Sequence, residues 1–253
     1  LEGYAAPAAD AKPEEAAAAV EAQAANLKPA DAAFRERINA LRTSGCAGVN
    51  ITLPHKERAL AISDCASDAA KNVGAANMLT FGAAGIAADN SDAAAVIGII
   101  ENLKSPPKTA LILGAGGAAR AVLWALKCSA VPRVLIANRT RSRADEISEI
   151  GNADVVDWKD RNEALAKADF IVNATSLGME GQPRLDINAT AIWAGAAVFD
   201  TVYSPLETAL LSDAKARGAT TIDGLEMLMR QAVPAYLAWL GAKAAVDADL
   251  RQR

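Results

Sequence analysis

Residues 109–143 run strand, glycine turn, helix, strand, and no other stretch of the chain restricts its fold as much. Thr109-Ala110-Leu111-Ile112-Leu113 is apolar and of strand length. Residues 118–128 are rich in Ala and Leu without a breaker, which predicts a helix, and Arg133-Val134-Leu135-Ile136-Ala137 predicts a second strand. Gly114-Ala115-Gly116-Gly117-Ala118-Ala119-Arg120 lies between the first strand and the helix. In that setting Gly114 permits the tight turn, Gly116 leaves room for a pyrophosphate against the backbone, and Ala119 lets helix and strand pack closely. The helix N-terminus adds free N–H groups and the positive end of its dipole. Gly114, Ala115, Gly116, Gly117 and Ala118 are therefore the expected dinucleotide cradle.

The residues after the second strand bear on which dinucleotide. NAD sites commonly place an Asp or Glu there, accepting from the ribose 2′-hydroxyl. This chain has Asn138-Arg139-Thr140-Arg141-Ser142-Arg143 instead. No carboxylate stands there to repel a 2′-phosphate, and guanidiniums and hydroxyls are present to bind one. The loop favours NADP over NAD. The plainer alternative is a solvated basic loop that opens the next helix.

Strand-like segments recur near 109–113, 133–137, 154–157, 169–173, 197–201 and 219–222 with helical segments between them. Alternation of this kind with near-continuous apolar strands predicts a doubly wound parallel sheet of the Rossmann type, whose ligands lie beyond the carboxyl ends of its strands. Upstream, residues 1–26 are Ala-rich, with a helix start at Pro13. Then come a helix over 29–43, a strand over 49–53, a helix opened by Pro54, short strands at 77–81 and 86–89, and a helix over 92–103. Ser105-Pro106-Pro107 reads as the linker. The expected architecture is α/β. Residues 1–104 form a first α/β domain and 105–224 a dinucleotide-binding Rossmann domain that the basic loop marks for NADP. Residues 225–253, interrupted at Pro234 and Gly241, form C-terminal helices that return to the first domain.

Bulk properties narrow the function. A net charge of −4 gives no electrostatic case for nucleic acid or an anionic membrane. No apolar run approaches transmembrane length and no signal peptide is visible, which points to the cytoplasm. Cys46, Cys65 and Cys128 lack metal-ligand spacing and read as reduced core thiols. His55 is the only histidine, which argues against a His-based triad or a His-rich metal site, and no metal is expected. The four tryptophans, 124, 158, 193 and 239, are spread out and read as packing.

A second constellation lies upstream. Asn50-Ile51-Thr52-Leu53-Pro54-His55-Lys56 delivers a lysine to the start of a helix, where it is a candidate acid/base. Gly74-Ala75-Ala76-Asn77 and Asp89-Asn90-Ser91-Asp92 put polar residues at strand ends or in loops. A Lys, an Asn and an Asp in one site can hold a polyhydroxylated substrate and move a proton to or from a carbonyl. The plainer readings are a helix N-cap for Asp92, a turn residue for Asn77 and a half-buried core residue for Tyr203.

These stretches resemble the shikimate dehydrogenase family. The family patterns stand here as Asn50-Ile51-Thr52-Leu53-Pro54-His55-Lys56, Val73-Gly74-Ala75-Ala76-Asn77, Asn90-Ser91-Asp92 and Gly114-Ala115-Gly116-Gly117-Ala118. They continue as Asn138-Arg139-Thr140, Asn173-Ala174-Thr175-Ser176-Leu177-Gly178-Met179, Asp200-Thr201-Val202-Tyr203 and Gly224-Leu225-Glu226-Met227-Leu228 leading to Gln231. The resemblance implies residues 1–104 as the substrate-binding, catalytic domain and Lys56 as catalytic acid/base with Asp92 beside it. It implies Thr52, Asn77, Tyr203 and Gln231 on substrate hydroxyls or carboxylate. Asn138, Arg139, Thr140 and Arg143 would hold the adenosine phosphate, and Thr201 and Gly224 would lie near the nicotinamide. The implied reaction is the reversible reduction of 3-dehydroshikimate to shikimate by NADPH, in aromatic amino-acid biosynthesis. The implied partner is that small-molecule substrate, in a monomer or homodimer.

The chain departs from the family in one respect. Family members begin with a strand and a Ser-x-Ser-Pro segment whose hydroxyls anchor the substrate carboxylate, and no such segment precedes Lys56. Leu1-Glu2-Gly3-Tyr4 reads as the family's second strand and Pro13 to Asn26 as an insertion. Hydrogen bonds to a charged group are worth roughly 1.5–3 kcal/mol each, so their loss would weaken substrate binding. A relative that binds NADP(H) with weak turnover, or one that acts on quinate or an amino analogue of shikimate, is the alternative.

Overall fold

The computed structural model describes residues 29–52, 54–242, 244–246 and 250. The readings at Leu1–Tyr4 and Pro13–Asn26 lie outside them. The chain forms two compact units, one of residues up to Asn90 together with Ala238–Gly241, the other of Ser91–Leu237 and the residues after Gly241.

In the first unit, α1 (Pro29–Thr43) precedes β1 (Gly48–Asn50), α2 (Lys56–Ala61), β2 (Cys65–Ala66), α3 (Asp68–Val73), β3 (Met78–Gly82) and β4 (Gly85–Asp89). The sheet runs β1-β3-β4-β2, antiparallel at β1/β3 and β3/β4 and parallel at β4/β2. Ile38, Ile51, Ala59, Ile62, Leu79 and Ile86 form its core. The Trp239 indole covers Gly48, where a Cβ would collide with it, and donates to Thr80 Oγ1 at 3.1 Å.

Local details differ from the sequence reading: β1 is Gly48–Asn50 where a strand over 49–53 was expected, and β2 was not expected. Pro54 does not open α2. Thr52 O accepts from His55 N at 3.0 Å, so Pro54 is used in a turn and the helix begins at Lys56. The short α3 was not expected, yet its ends are marked in sequence. Ser67 Oγ accepts from Ala70 N at 3.1 Å, and Gly74 closes the helix in the left-handed conformation at φ +71°.

In the second unit, α4 (Ser91–Glu101) precedes six parallel strands and their helices. The strands are β5 (Thr109–Leu113), β6 (Arg133–Ala137), β7 (Asp154–Val156), β8 (Phe170–Asn173), β9 (Ala197–Asp200) and β10 (Thr220–Ile222). The helices are α5 (Gly117–Cys128), α6 (Arg141–Ser148), α7 (Arg161–Leu165), α8 (Ala209–Ala216) and α9 (Gly224–Leu240). The sheet order β7-β6-β5-β8-β9-β10 is doubly wound, with its switch point between β5 and β8.

Burial on both faces explains the unbroken apolar strands. Ala110 and Ile112 face a core with Val122, Leu126, Val96 and Ile99, whereas Leu111 and Leu113 face one with Leu165, Ile192, Leu210 and Leu211. Of the cysteines, all free, Cys46 and Cys128 are exposed and not core thiols. The cause is position: Cys46 follows the turn after α1, and Cys128 is the last residue of α5. Among the described residues no helix is long and apolar enough to cross a membrane, and no group of three or more His, Cys, Asp or Glu could hold a metal.

Candidate functional site

The carboxyl ends of β5, β6 and β8 open on a cleft of about 260 Å³ lined by Gly114, Ala115, Gly116, Asn138, Arg139, Arg143, Trp158 and residues 174–177. The glycines divide the work. Gly114 sits at φ +111°, and a Cβ there would lie 2.8 Å from Ala174 O, so both backbone conformation and space demand glycine. Gly116 and Gly117 are different, because a Cβ at either meets nothing within 4 Å. Their bare backbone faces open space, which suits a bound phosphate and is unrelated to internal packing. Gly116 is the N-cap of α5, and Ala118 follows within the first turn. Ala119 is fully buried.

The basic loop sorts itself. Arg141 reaches Asp157 at 2.6 Å and Asp145 at 3.7 Å, and the bond to Asp157 raises its already high pKa. Arg139 and Arg143 are exposed, line the cleft and form no ion pair among the described residues. Asn138 Nδ2 donates to Thr140 O at 2.8 Å, which shapes the loop that carries them. Trp158 packs against the core that holds Leu113 and Leu165, as its sequence reading held, and it also lines the cleft, a role that reading did not include. The available signal for that role was position, two residues past β7 and beside the strand that bears the basic loop.

Thr201 and Gly224 meet at the end of β9. Thr201 N and Oγ1 both donate to Asn173 O at 3.0 Å. Gly224 N donates to Val202 O at 3.1 Å, and a Cβ on Gly224 would stand 2.5 Å from Thr201 O. Only glycine allows α9 to start against this segment.

Lys56, Thr52 and Asn77 belong to the first unit. Lys56 is the half-buried first residue of α2, and its carbonyl accepts from Ala76 N at 2.9 Å, so the 74–77 loop is tied to the start of that helix. Asn77 is 2% exposed. Its carbonyl accepts from Ile51 N and its N–H donates to Asp89 O, which pins it between β1 and β4. Asn77 is therefore more than a turn residue. Thr52 is exposed. His55 stacks on Phe34 with ring centroids 5.1 Å apart, a packing role.

Asp92, Tyr203 and Gln231 belong to the second unit. α4 begins at Ser91, so Asp92 is not its N-cap but lies within its first turn, where the helix dipole favours an anion; it is 7% exposed. Tyr203 is half exposed, not a core residue, because it lies in the loop past β9. Gln231 is partly buried on α9.

Comparison with known proteins carries the decision. A family model described as the shikimate dehydrogenase substrate binding domain matches residues 11–79, and one described as shikimate/quinate 5-dehydrogenase matches 98–180. The shikimate dehydrogenase (NADP(+)) of Dinoroseobacter shibae is 46% identical over 226 residues, 85% of this chain and 80% of that protein. The chain belongs to the shikimate dehydrogenase family. Among solved structures, the Thermus thermophilus shikimate 5-dehydrogenase in complex with NADP(H) and shikimate superposes with TM-score 0.76 at 33% identity, over 86% of this chain and 81% of that one. The Corynebacterium glutamicum quinate dehydrogenase in complex with NAD superposes with TM-score 0.80 at 31% identity, over 86% and 80% of the two chains.

Proposed function

We propose that this member of the family is an NADP-dependent shikimate dehydrogenase that reversibly reduces 3-dehydroshikimate to shikimate in the cytoplasm, as a monomer or homodimer without a nucleic-acid partner. The single observation that carries the cofactor assignment is the cleft beyond β5, β6 and β8, with bare Gly116 on one side and, on the other, Arg139 and Arg143, which form no ion pair among the described residues. Its donor set suits a dinucleotide with a 2′-phosphate. Gly114–Ala118 holds the pyrophosphate. Asn138, Arg139, Thr140 and Arg143 hold the adenosine phosphate, with Trp158 as a wall. Thr201 and Gly224 border the nicotinamide end.

Bound NADPH supplies the hydride. The protein's own task is to hold the substrate and deliver one proton. Residues 1–104 act as the substrate-binding and catalytic part and 105–224 as the nucleotide-binding part. Lys56 gives its ammonium proton to the oxygen of the ketone as that oxygen gains charge, so a hydroxyl forms and the amine is left neutral. In the reverse direction the amine takes the proton back. Asp92 is the carboxylate that works with it. Thr52, Asn77, Tyr203 and Gln231 bind the ring hydroxyls and carboxylate, and Asn77, with its backbone fixed on both sides, is well suited to orientation.

The test is steady-state oxidation of shikimate with NADP by the purified chain. Reduced dinucleotide formed at an ordinary dehydrogenase rate supports the reading. NADPH binding without turnover on any cyclohexane or cyclohexene polyol would refute it. Likeness to a quinate dehydrogenase keeps quinate as a second reading. It predicts a kcat/KM for quinate at least equal to that for shikimate.

A further inference from the structure

Asp200 is fully buried, together with Asn173 (0% exposed) and Thr208 (1%). No ion pair compensates its carboxylate among the described residues. It is met only by dipoles. Oδ1 accepts from Asn173 Nδ2 at 2.9 Å and Val202 N at 3.0 Å, and Oδ2 accepts from Thr208 Oγ1 at 2.7 Å. Burial pushes the carboxyl above the ordinary range, and the three donors only partly offset this. Burying an unpaired carboxylate is a poor way to stabilise a sheet, since an apolar side chain costs less there.

What the carboxylate holds explains its position. Asn173 and Asp200 are register partners at the carboxyl ends of β8 and β9. The amide clamped by Asp200 organises the next turn. Asn173 Nδ2 also donates to Leu177 O at 3.0 Å, and its Oδ1 accepts from Thr175 N at 3.1 Å and Thr175 Oγ1 at 2.7 Å. Thr175 and Leu177 line the dinucleotide cleft. The same carboxylate fixes Val202 N, and Val202 O receives Gly224 N. One side chain thus aligns both a backbone segment that lines the cleft and the segment assigned to the nicotinamide end.

We propose that Asp200 is a positioning residue for the dinucleotide, acting through Asn173 on the 174–177 loop and through Val202 on the nicotinamide-side segment. The proposal rests on the NADP reading given above. It assigns the work to hydrogen-bond geometry and not to charge, because Asn in place of Asp keeps an oxygen for Asn173 and Val202 and offers N–H to Thr208.

The experiment measures NADPH and NADH dissociation constants, and KM for shikimate, in the wild-type chain and in D200N, D200A and T208V. Wild-type protein that binds no NADPH would sink the cofactor reading itself. If the wild type binds, D200A is expected to weaken NADPH and NADH alike by about tenfold or more, with the ratio between them unchanged. KM for shikimate should move far less, and D200N should restore binding to within about threefold. T208V, which keeps the volume but removes both the donor to Oδ2 and the hydroxyl that caps α8 by accepting from Leu211 N, covers the case in which D200A does not fold; it is expected to weaken both dinucleotides by about threefold to tenfold. A folded D200A, or failing that T208V, with wild-type affinity overturns the proposal. So does a D200N as impaired as D200A, because charge would then carry the effect.

Discussion

At the residue scale, the candidate chemistry rests on a few side chains whose surroundings differ in kind. Lys56 is delivered by the first turn of a helix and held there through its carbonyl, so its amine can be removed without dismantling the backbone around it. Lys56→Ala is therefore expected to lower kcat by about 10²–10⁴-fold with a smaller change in KM for shikimate and an unchanged melting temperature, by steady-state kinetics and calorimetry. An unchanged kcat would remove Lys56 from the mechanism. Arg139 and Arg143 are uncommitted, whereas Arg141 is tied to Asp157 and Asp145. Replacing either uncommitted arginine by Ala is expected to raise the NADP dissociation constant by about ten- to a hundredfold while NAD changes little; R141A should not alter that preference. Titration with both dinucleotides reads the ratio directly.

At the element scale, the glycine turn separates folding from binding. A methyl at Gly114 meets Ala174 O and the backbone stands at φ +111°, so G114A is expected to cost about 1–3 kcal/mol or more of stability. A methyl at Gly116 meets no protein atom, and its φ of −100° suits any residue. G116A should keep the wild-type melting temperature and lose most NADPH affinity, because the methyl occupies the space a pyrophosphate needs. Thermal melts with and without NADPH test the pair, and a destabilised G116A apoprotein would show the opposite division. The long parallel strands were legible to the residue. β5 and β6 lie where their apolar runs lie, because a strand buried on both faces leaves no ambiguity of period. β2, of two residues, is too short to carry a period, and α3, of six, shows itself in sequence only through its end signals, Ser67 and Gly74. The start of α2 was misread because Pro54 suits a turn as well as a helix opening, and the choice was made by the hydrogen bond from His55 N to Thr52 O.

At the scale of the whole molecule, the buried carboxylate links stability to pH. The folded-state pKa of Asp200 is raised above its ordinary value of 3.8, so the native state keeps its proton to higher pH than the unfolded chain. A raised pKa contributes stability that is present below the unfolded value and is lost as pH rises through the folded one. The difference in unfolding free energy between wild type and D200N should thus shift against the wild type as pH rises from about 3.8 toward neutrality, with a slope of at most about 1.4 kcal/mol per pH unit for one proton. Denaturant titrations across that window follow it, and a difference that is flat or of opposite sign would show that Asp200 is not held above its ordinary range.

Sequence by itself determined the doubly wound class, the place of the glycine turn after β5 and the basic loop after β6. These follow from local rules: the period of apolar residues, the conformational freedom of glycine and the sign of nearby charge. Tertiary structure decided what depends on contacts between distant strands. It set which arginine is consumed by a carboxylate, which tryptophan lines the cleft, and that Asn173 and Asp200 lie side by side at the ends of β8 and β9. No local rule reaches these, because strand order places in register residues that the chain keeps far apart, and their hydrogen bonds exist only once the sheet has formed.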